Sequence, residues 1–154
     1  MIIKIISIGN KLNSWELDSI NYYLKQIPKN LKIDFINLKS QQNPNYSESE
    51  VIIKESKLIM SKISKDDFVV AFDVNGDQMS SKKFSNLIFN CFKTSKVLTF
   101  VIGGSFGLSS EIKDNSNRVL SASLFTFPHR LFRLLLIEQI YRAHTIKNNM
   151  PYHK

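Results

Sequence analysis

Five short apolar runs, each followed by a segment of helical character, constrain this chain more than any other feature. Ile2 to Ile8 is rich in β-branched residues and ends at Gly9-Asn10, the signature of a buried strand. Leu31 to Leu38 alternates, with Leu31, Ile33 and Phe35 set against Lys32 and Asp34. Phe68 to Phe72, Val97 to Ile102 and an extended segment within Arg118 to Phe125 complete the set. Asn13 with Glu16, and Ser47 with Glu50, have the spacing of capping boxes, in which each side chain satisfies the other's free backbone N–H. They open helices to about Ile27, where Pro28 stops the first, and to about Ile63. Ser80 or Ser81 caps a third helix running to about Phe92, and a short one begins near Ser109 or Ser110. Pro128 suits the first turn of a final helix to about Ile146, because it lacks only an N–H that has no partner there. Asn75-Gly76-Asp77 reads as a turn, and Asn148 to Pro151 as a break that leaves a tail.

Five strands alternating with five helices predict an α/β fold, a mostly parallel sheet with helices on both faces. With 154 residues, no internal repeat and no long linker, one domain is expected over 1–154, the 39–46 loop being the one low-order candidate. No run of 18 apolar residues suggests a membrane span. Lys4 interrupts the apolar start, and no signal peptide is expected. Cys91 is the only cysteine, so a cytoplasmic protein without an internal disulfide is expected, and no Cys/His spacing suggests a metal.

The formal net charge of +8 fits either a polyanionic partner or a lysine-rich solvated surface. Its distribution is more telling. Arg130, Arg133 and Arg142, three of four arginines, share the last 26 residues with all three histidines, His129, His144 and His153. Arginines such as Arg130 and Arg133 are the forked cations that suit phosphates, and they are concentrated at one end, while lysines are spread along the chain.

Several segments can be read as chemistry or as plain structure. Gly103-Gly104-Ser105-Phe106-Gly107 follows a strand, where open α/β sheets bind ligands, yet two glycines also simply make a turn. The loop is neither G-x-G-x-x-G nor a P-loop. Ser121 to His129 is either a ligand wall ending in a base or an ordinary strand-to-helix junction. A helix N-terminus would keep His129 neutral. The final helix is apolar on two sides, Leu131, Leu134, Leu135 and Glu138 against Phe132, Leu136 and Ile140, so it is either fully buried or half of a dimer interface. Tyr152 and His153 either fray or close over a site. Asp73 sits at a strand end, where it either serves chemistry or caps the next turn. Trp15, Tyr22 and Tyr23 have the spacing of core or flank residues.

Three segments together carry a resemblance. They are Phe100 to Ser109, Thr126-Phe127-Pro128-His129, and Glu138 to Ala143 with Pro151-Tyr152-His153-Lys154. At this spacing the chain resembles, over essentially its whole length, the RlmH family of ribosomal large-subunit methyltransferases, of the SPOUT class. The resemblance implies a C-terminal trefoil knot formed by about 68–154, against the rule that chains do not thread loops. It implies a homodimer through the C-terminal helix. It implies methyl transfer from S-adenosyl-L-methionine to N3 of a pseudouridine in helix 69 of 23S rRNA, within the 70S ribosome.

The cofactor contacts it implies fall at Phe72, at Gly103, and at Ala122, Ser123, Leu124, Phe125, Thr126 and Phe127. Phe72 departs from the leucine often found in the family, and Asp77 from a lysine, although Lys82 and Lys83 soon follow. His129 or His153 is the expected base, Arg142 would stabilise the developing charge, and Tyr152 would stack on or hydrogen-bond the target base. A tail that closes only on substrate is expected to be disordered without RNA. Two other classes stand beside this one: a non-catalytic ribosome- or RNA-binding protein retaining the fold, and a small nucleotide-binding enzyme with no RNA role. The intact Gly103-Gly104 and Thr126 to His129 segments argue against both.

Overall fold

The computed structural model describes residues 1–153. The chain runs β1 (Ile2–Ile8), α1 (Ser14–Leu24), β2 (Lys32–Leu38), α2 (Glu48–Met60), β3 (Phe68–Asp77), α3 (Ser81–Cys91), β4 (Val97–Ile102), α4 (Ser110–Asp114), β5 (Arg118–Leu120) and α5 (His129–Lys147), then a 3-10 turn at Pro151–His153. The strands form one sheet in the order β2-β1-β4-β3-β5, and every strand pairing is parallel.

Alternation along β1 divides the core. Ile3 and Ile5 face one side and pack with Ile20, Phe84, Phe100 and Ile140, beneath α1, α3 and α5. Ile6 and Ile8 face the other and pack with Ile59, Leu108 and Ile112, beneath α2 and α4. The sheet is thus covered on both faces, as its near-continuous apolar strands require.

The two expected capping boxes form. Asn13 N–H donates to Glu16 Oε2 at 3.1 Å while Glu16 N–H donates to Asn13 Oδ1 at 3.2 Å. Ser47 and Glu50 repeat the exchange at 2.7 and 3.2 Å. Ser80 and Ser109 cap α3 and α4.

Four expectations are corrected. Asn75-Gly76-Asp77 is not the turn ending β3. The strand kinks there and resumes pairing, so that Leu120 faces both Phe72 and Asp77, and Ser121 N–H donates to Asp77 O at 2.9 Å. Tertiary pairing outweighs the local Asn-Gly signal. Pro128 precedes the helix, at the N-cap position with ψ 143°, and His129 is the first helical residue. Trp15 and Tyr22 are solvent-facing at 46% and 63% exposure, and only Tyr23 packs inward, against Tyr141 at 5.8 Å. The tail does not fray. Met150 N–H returns to Thr145 O at 2.9 Å, and the Tyr152 ring docks edge-on to Tyr141 at 4.6 Å.

Candidate active site

Ligands of open parallel sheets bind beyond the carboxyl ends of the strands. Here the ends of β3 and β4 and the segment after β5 enclose two adjoining cavities of about 370 and 410 Å³. Phe72, Ser121, Ala122, Ser123, Phe127 and Phe132 line both, so the two form one groove. Gly103 to Gly107, Phe125, Thr126 and His129 complete one end. Ser81, Leu135 and Gln139 complete the other. Phe72, Gly103 and five of the six residues from Ala122 to Phe127 thus converge. Leu124 lines neither cavity and is 91% exposed.

The glycine loop is close-packed. Gly107 N–H donates back to Gly104 O at 3.0 Å, and Gly107 has φ +81°, which favours glycine. A Cβ on Gly103 would lie 2.8 Å from the Gly107 carbonyl carbon, and one on Gly104 2.6 Å from Glu55 Oε2. Glu55, which sequence reasoning missed, lies behind the glycine loop and lines neither cavity. It is buried; its Oε1 accepts from Ser40 Oγ at 3.1 Å and Gln41 N–H at 3.0 Å, while Oε2 has no partner. Its signal was a carboxylate on the apolar stripe Val51, Glu55, Ile59 of α2.

Phe72 forms an aromatic floor, stacked on Phe100 at 5.7 Å and meeting Phe132 edge-on at 4.9 Å. His129 is half-buried, and its pKa is lowered chiefly by that burial and then by the Arg133 charge, partly opposed by Glu55. The direction matches that expected from the helix N-terminus, but burial is its main cause. Asp73 lines the groove, and its carboxylate is engaged: Oδ1 accepts from Asn75 N–H at 3.0 Å and Oδ2 meets Lys113 Nζ at 3.4 Å.

The other expected catalytic residues sit apart. His129 and Arg142 are about 20 Å apart along α5 at roughly 1.5 Å per residue. Arg142 donates through Nε at 3.0 Å and Nη2 at 2.7 Å to Glu138 Oε1, which also accepts the Tyr152 hydroxyl at 3.0 Å. Glu138 raises the Arg142 pKa. Burial raises that of Tyr152, with the hydrogen bonds to Tyr23 and Glu138 adding to it. His153 is half-buried and its Nδ1 has no partner among the described residues. This cluster lies one helical turn beyond Gln139, past the far end of the groove.

Arg133 is corrected outright. It is 1% exposed and cannot reach a phosphate. Its Nη2 donates to Glu16 Oε1 at 2.6 Å, and its Nη1 to Asn10 O and Asn37 Oδ1, both at 3.1 Å. Arg130 stays partly exposed and donates to Glu16 Oε2 at 2.7 Å.

The family model described as "Predicted SPOUT methyltransferase" matches residues 1–153. The chain belongs to the SPOUT methyltransferase family. Among SPOUT relatives, the ribosomal RNA large subunit methyltransferase H 1 of Clostridium perfringens is 42% identical over 159 residues, covering 100% of both chains. The methyltransferase H of Clostridium tetani matches to the same extent. That of Caldicellulosiruptor bescii is 38% identical over 153 residues, 99% of each chain. No helix among the described residues is long and apolar enough to cross a membrane.

Proposed function

We propose that this chain is a cytoplasmic, S-adenosyl-L-methionine-dependent methyltransferase of large-subunit rRNA, acting on N3 of a pseudouridine in helix 69 of 23S rRNA within the 70S ribosome. The observation that carries the reading is the convergence of Phe72, Gly103 and, from the segment after β5, Ala122, Ser123, Phe125, Thr126 and Phe127 on one groove. The groove fits the cofactor: Phe72, Phe127 and Phe132 offer aromatic surface for an adenine, and the close-packed Gly103 to Gly107 loop borders it. Bound there, the cofactor supplies an electrophilic methyl group on sulfonium.

The protein's own part is positioning and proton handling. His129, neutral because it is half-buried, accepts the N3 proton of the target ring. His153, with an unpartnered ring nitrogen, is the second candidate. Arg142 and Tyr152 lie about 20 Å along α5 from the His129 of the same protomer, so in the homodimer they meet the ring from the second protomer: Arg142 stabilises the ring anion once it turns from Glu138, and Tyr152 stacks on or hydrogen-bonds the base. Leu131 and Leu134, left partly exposed on α5, supply the homodimer face, while Phe132, Leu136 and Ile140 fill the core. The trefoil knot is assigned to about 68–154, of which residue 154 lies outside the described residues. Asp77 contributes its backbone carbonyl to Ser121, so its carboxylate in place of a family lysine leaves that contact intact. N-terminal lysines and Arg130 contribute the salt-dependent phosphate contacts.

Calorimetry with S-adenosylmethionine and its demethylated product is the first test, and failure to bind either sinks the reading. Methyl transfer to 70S ribosomes from a strain lacking the modification, followed by mapping, tests the target. A methyl group elsewhere, or none, refutes the assignment.

A further inference from the structure

Lysines that are spread along the sequence are gathered by the fold. Lys29 and Lys32 stand at the entry to β2, Lys62 and Lys65 precede β3, and Lys93 and Lys96 precede β4. The strands are parallel, so all three pairs lie on one edge of the sheet, opposite the carboxyl ends that enclose the groove. All six lysines are exposed. In the order β2-β1-β4-β3 they span three strand spacings, about 15 Å at roughly 4.8 Å each. Lys32 meets Asp34 at 3.1 Å, and the other five form no ion pair among the described residues. Asp34 and Asp66 offset the row only in part, because the buried Asp67 is already held by Lys4 Nζ at 3.0 Å.

The groove is the opposite case. Among the described residues no lysine or arginine lines either cavity, and Asp73 is the one carboxylate there. RNA held at the groove alone therefore finds aromatic and polar surface but no cation for its phosphates. The two surfaces are also far apart. From Lys96, just before β4, to Gly103 in the groove wall is about 20 Å at roughly 3.3 Å per residue. Along a helical strand that is roughly six nucleotides at about 3.4 Å per step, with the sheet and its helices in between. A phosphate on the lysine row thus belongs neither to the nucleotide whose base enters the groove nor to its neighbours.

We propose that this amino edge of the sheet is a second RNA-binding face, which holds the phosphates of a helix other than the one bearing the target base. The proposal rests on the reading of the chain as an rRNA methyltransferase and deepens it. The groove supplies the chemistry, the lysine row supplies affinity, and the enzyme bridges two segments of a folded RNA.

The test compares the fourfold variant Lys62→Gln/Lys65→Gln/Lys93→Gln/Lys96→Gln with the wild type. Binding to 70S ribosomes and to an isolated hairpin of the target helix is measured over a series of salt concentrations. On ribosomes the slope of log affinity against log salt should fall by about 3, at roughly 0.7–0.9 per lost phosphate contact. Affinity at low salt should drop by about tenfold or more. Hairpin binding should be unchanged, and calorimetry with S-adenosylhomocysteine should match the wild type, since the groove is untouched. Lys54→Gln/Lys57→Gln, which removes two exposed lysines of α2, should leave the ribosome slope near that of the wild type. An unchanged ribosome slope in the fourfold variant overturns the proposal. So does an equal loss on the hairpin, which places the row on the target helix itself. So does an equal loss per lysine in the α2 variant, which makes the charge diffuse. Wild-type protein that binds no ribosomes overturns the rRNA reading and this inference with it.

Discussion

The two ends of α5 carry the same pair of functional groups, an arginine on a glutamate, put to opposite uses. At the N-terminal end Arg133 and Glu16 are 2% and 0% exposed and lie 117 residues apart in sequence. Glu16 also caps α1 and accepts Arg130, so one carboxylate ties two elements together. Arg133 extends the tie to Asn10 and to Asn37, which accepts from Ser7 as well. At the C-terminal end Arg142 and Glu138 are one turn apart on the same helix, 31% and 14% exposed. Beyond α5 that pair holds only the short Pro151–His153 turn, through the Tyr152 hydroxyl on Glu138 Oε1 at 3.0 Å, and water can replace either partner. Burial and sequence separation, not residue type, decide which cluster is a lock and which can move.

The largest effect expected is on stability at the buried end. Glu16→Ala leaves Arg133 and part of Arg130 without their carboxylate, and stripping one partner from a buried pair costs about 3–5 kcal/mol. Glu138→Ala should cost less than about 1 kcal/mol, as for other solvent-reachable i,i+4 pairs. Urea denaturation at matched protein concentration measures both. Equal losses would erase the distinction between lock and latch.

Activity should rank the two ends the other way. Arg142→Ala is expected to lower kcat for ribosome methylation by about 10²-fold, the typical cost of removing one donor from a developing charge. Its urea midpoint should stay near that of the wild type. An Arg142→Ala protein that methylates normally would leave the C-terminal cluster with no role in the chemistry.

The sequence could reveal only part of this contrast. Strand and helix order, both capping boxes and both faces of the sheet were legible, because each rests on spacing within about ten residues. The glycine loop and Phe127 were legible for the same reason, with the resemblance supplying their convergence. Arg133 was not: on a helix apolar on two sides, an arginine looks solvated unless its partner is known, and Glu16 lies 117 residues away. The capping box at Asn13 concealed the second use of Glu16 by giving it a sufficient local one. The extension of β3 to Asp77 and the docking of Tyr152 on Tyr141 depend on contacts that no window of sequence contains.

The histidines sharpen the comparison through pH. His129 begins α5 and His144 lies in its last turn, and burial is the main cause lowering the pKa of each. The unfolded chain then binds more protons than the folded one as pH falls through and below about 6.5, so stability must drop there. Arg133 adds to the shift only at His129. His129→Gln should therefore flatten the loss between pH 7.5 and 5.5 more than His144→Gln does, as read from urea midpoints. Glu16 adds nothing in this window. Burial alone would raise its pKa, but the Asn13 N–H and the two arginines hold it below the usual value, so its contribution is lost only in stronger acid. A stability flat from pH 7.5 to 5.5 would mean that neither imidazole is kept neutral by its surroundings.

The smallest effect separates two arginines that share one carboxylate. Glu16 carries one negative charge against Arg130 and Arg133, so the cluster has one surplus positive charge. Of the two guanidinium groups, only that of Arg130 reaches solvent, with its side chain 38% exposed. Neutralising one phosphate releases counterions worth about 0.7–0.9 in the slope of log affinity against log salt. Arg130→Ala should therefore reduce the salt slope of ribosome binding by about that amount, with affinity converging on the wild type as salt rises. Arg133→Met, which fills the buried site without charge, should leave the slope unchanged if it folds, and its fold is checked by circular dichroism before binding is measured. An unchanged slope for Arg130→Ala would mean that Glu16 neutralises the exposed arginine as fully as the buried one. The N-terminal cluster would then be structural throughout, and the phosphate contacts would have to come from the lysines alone.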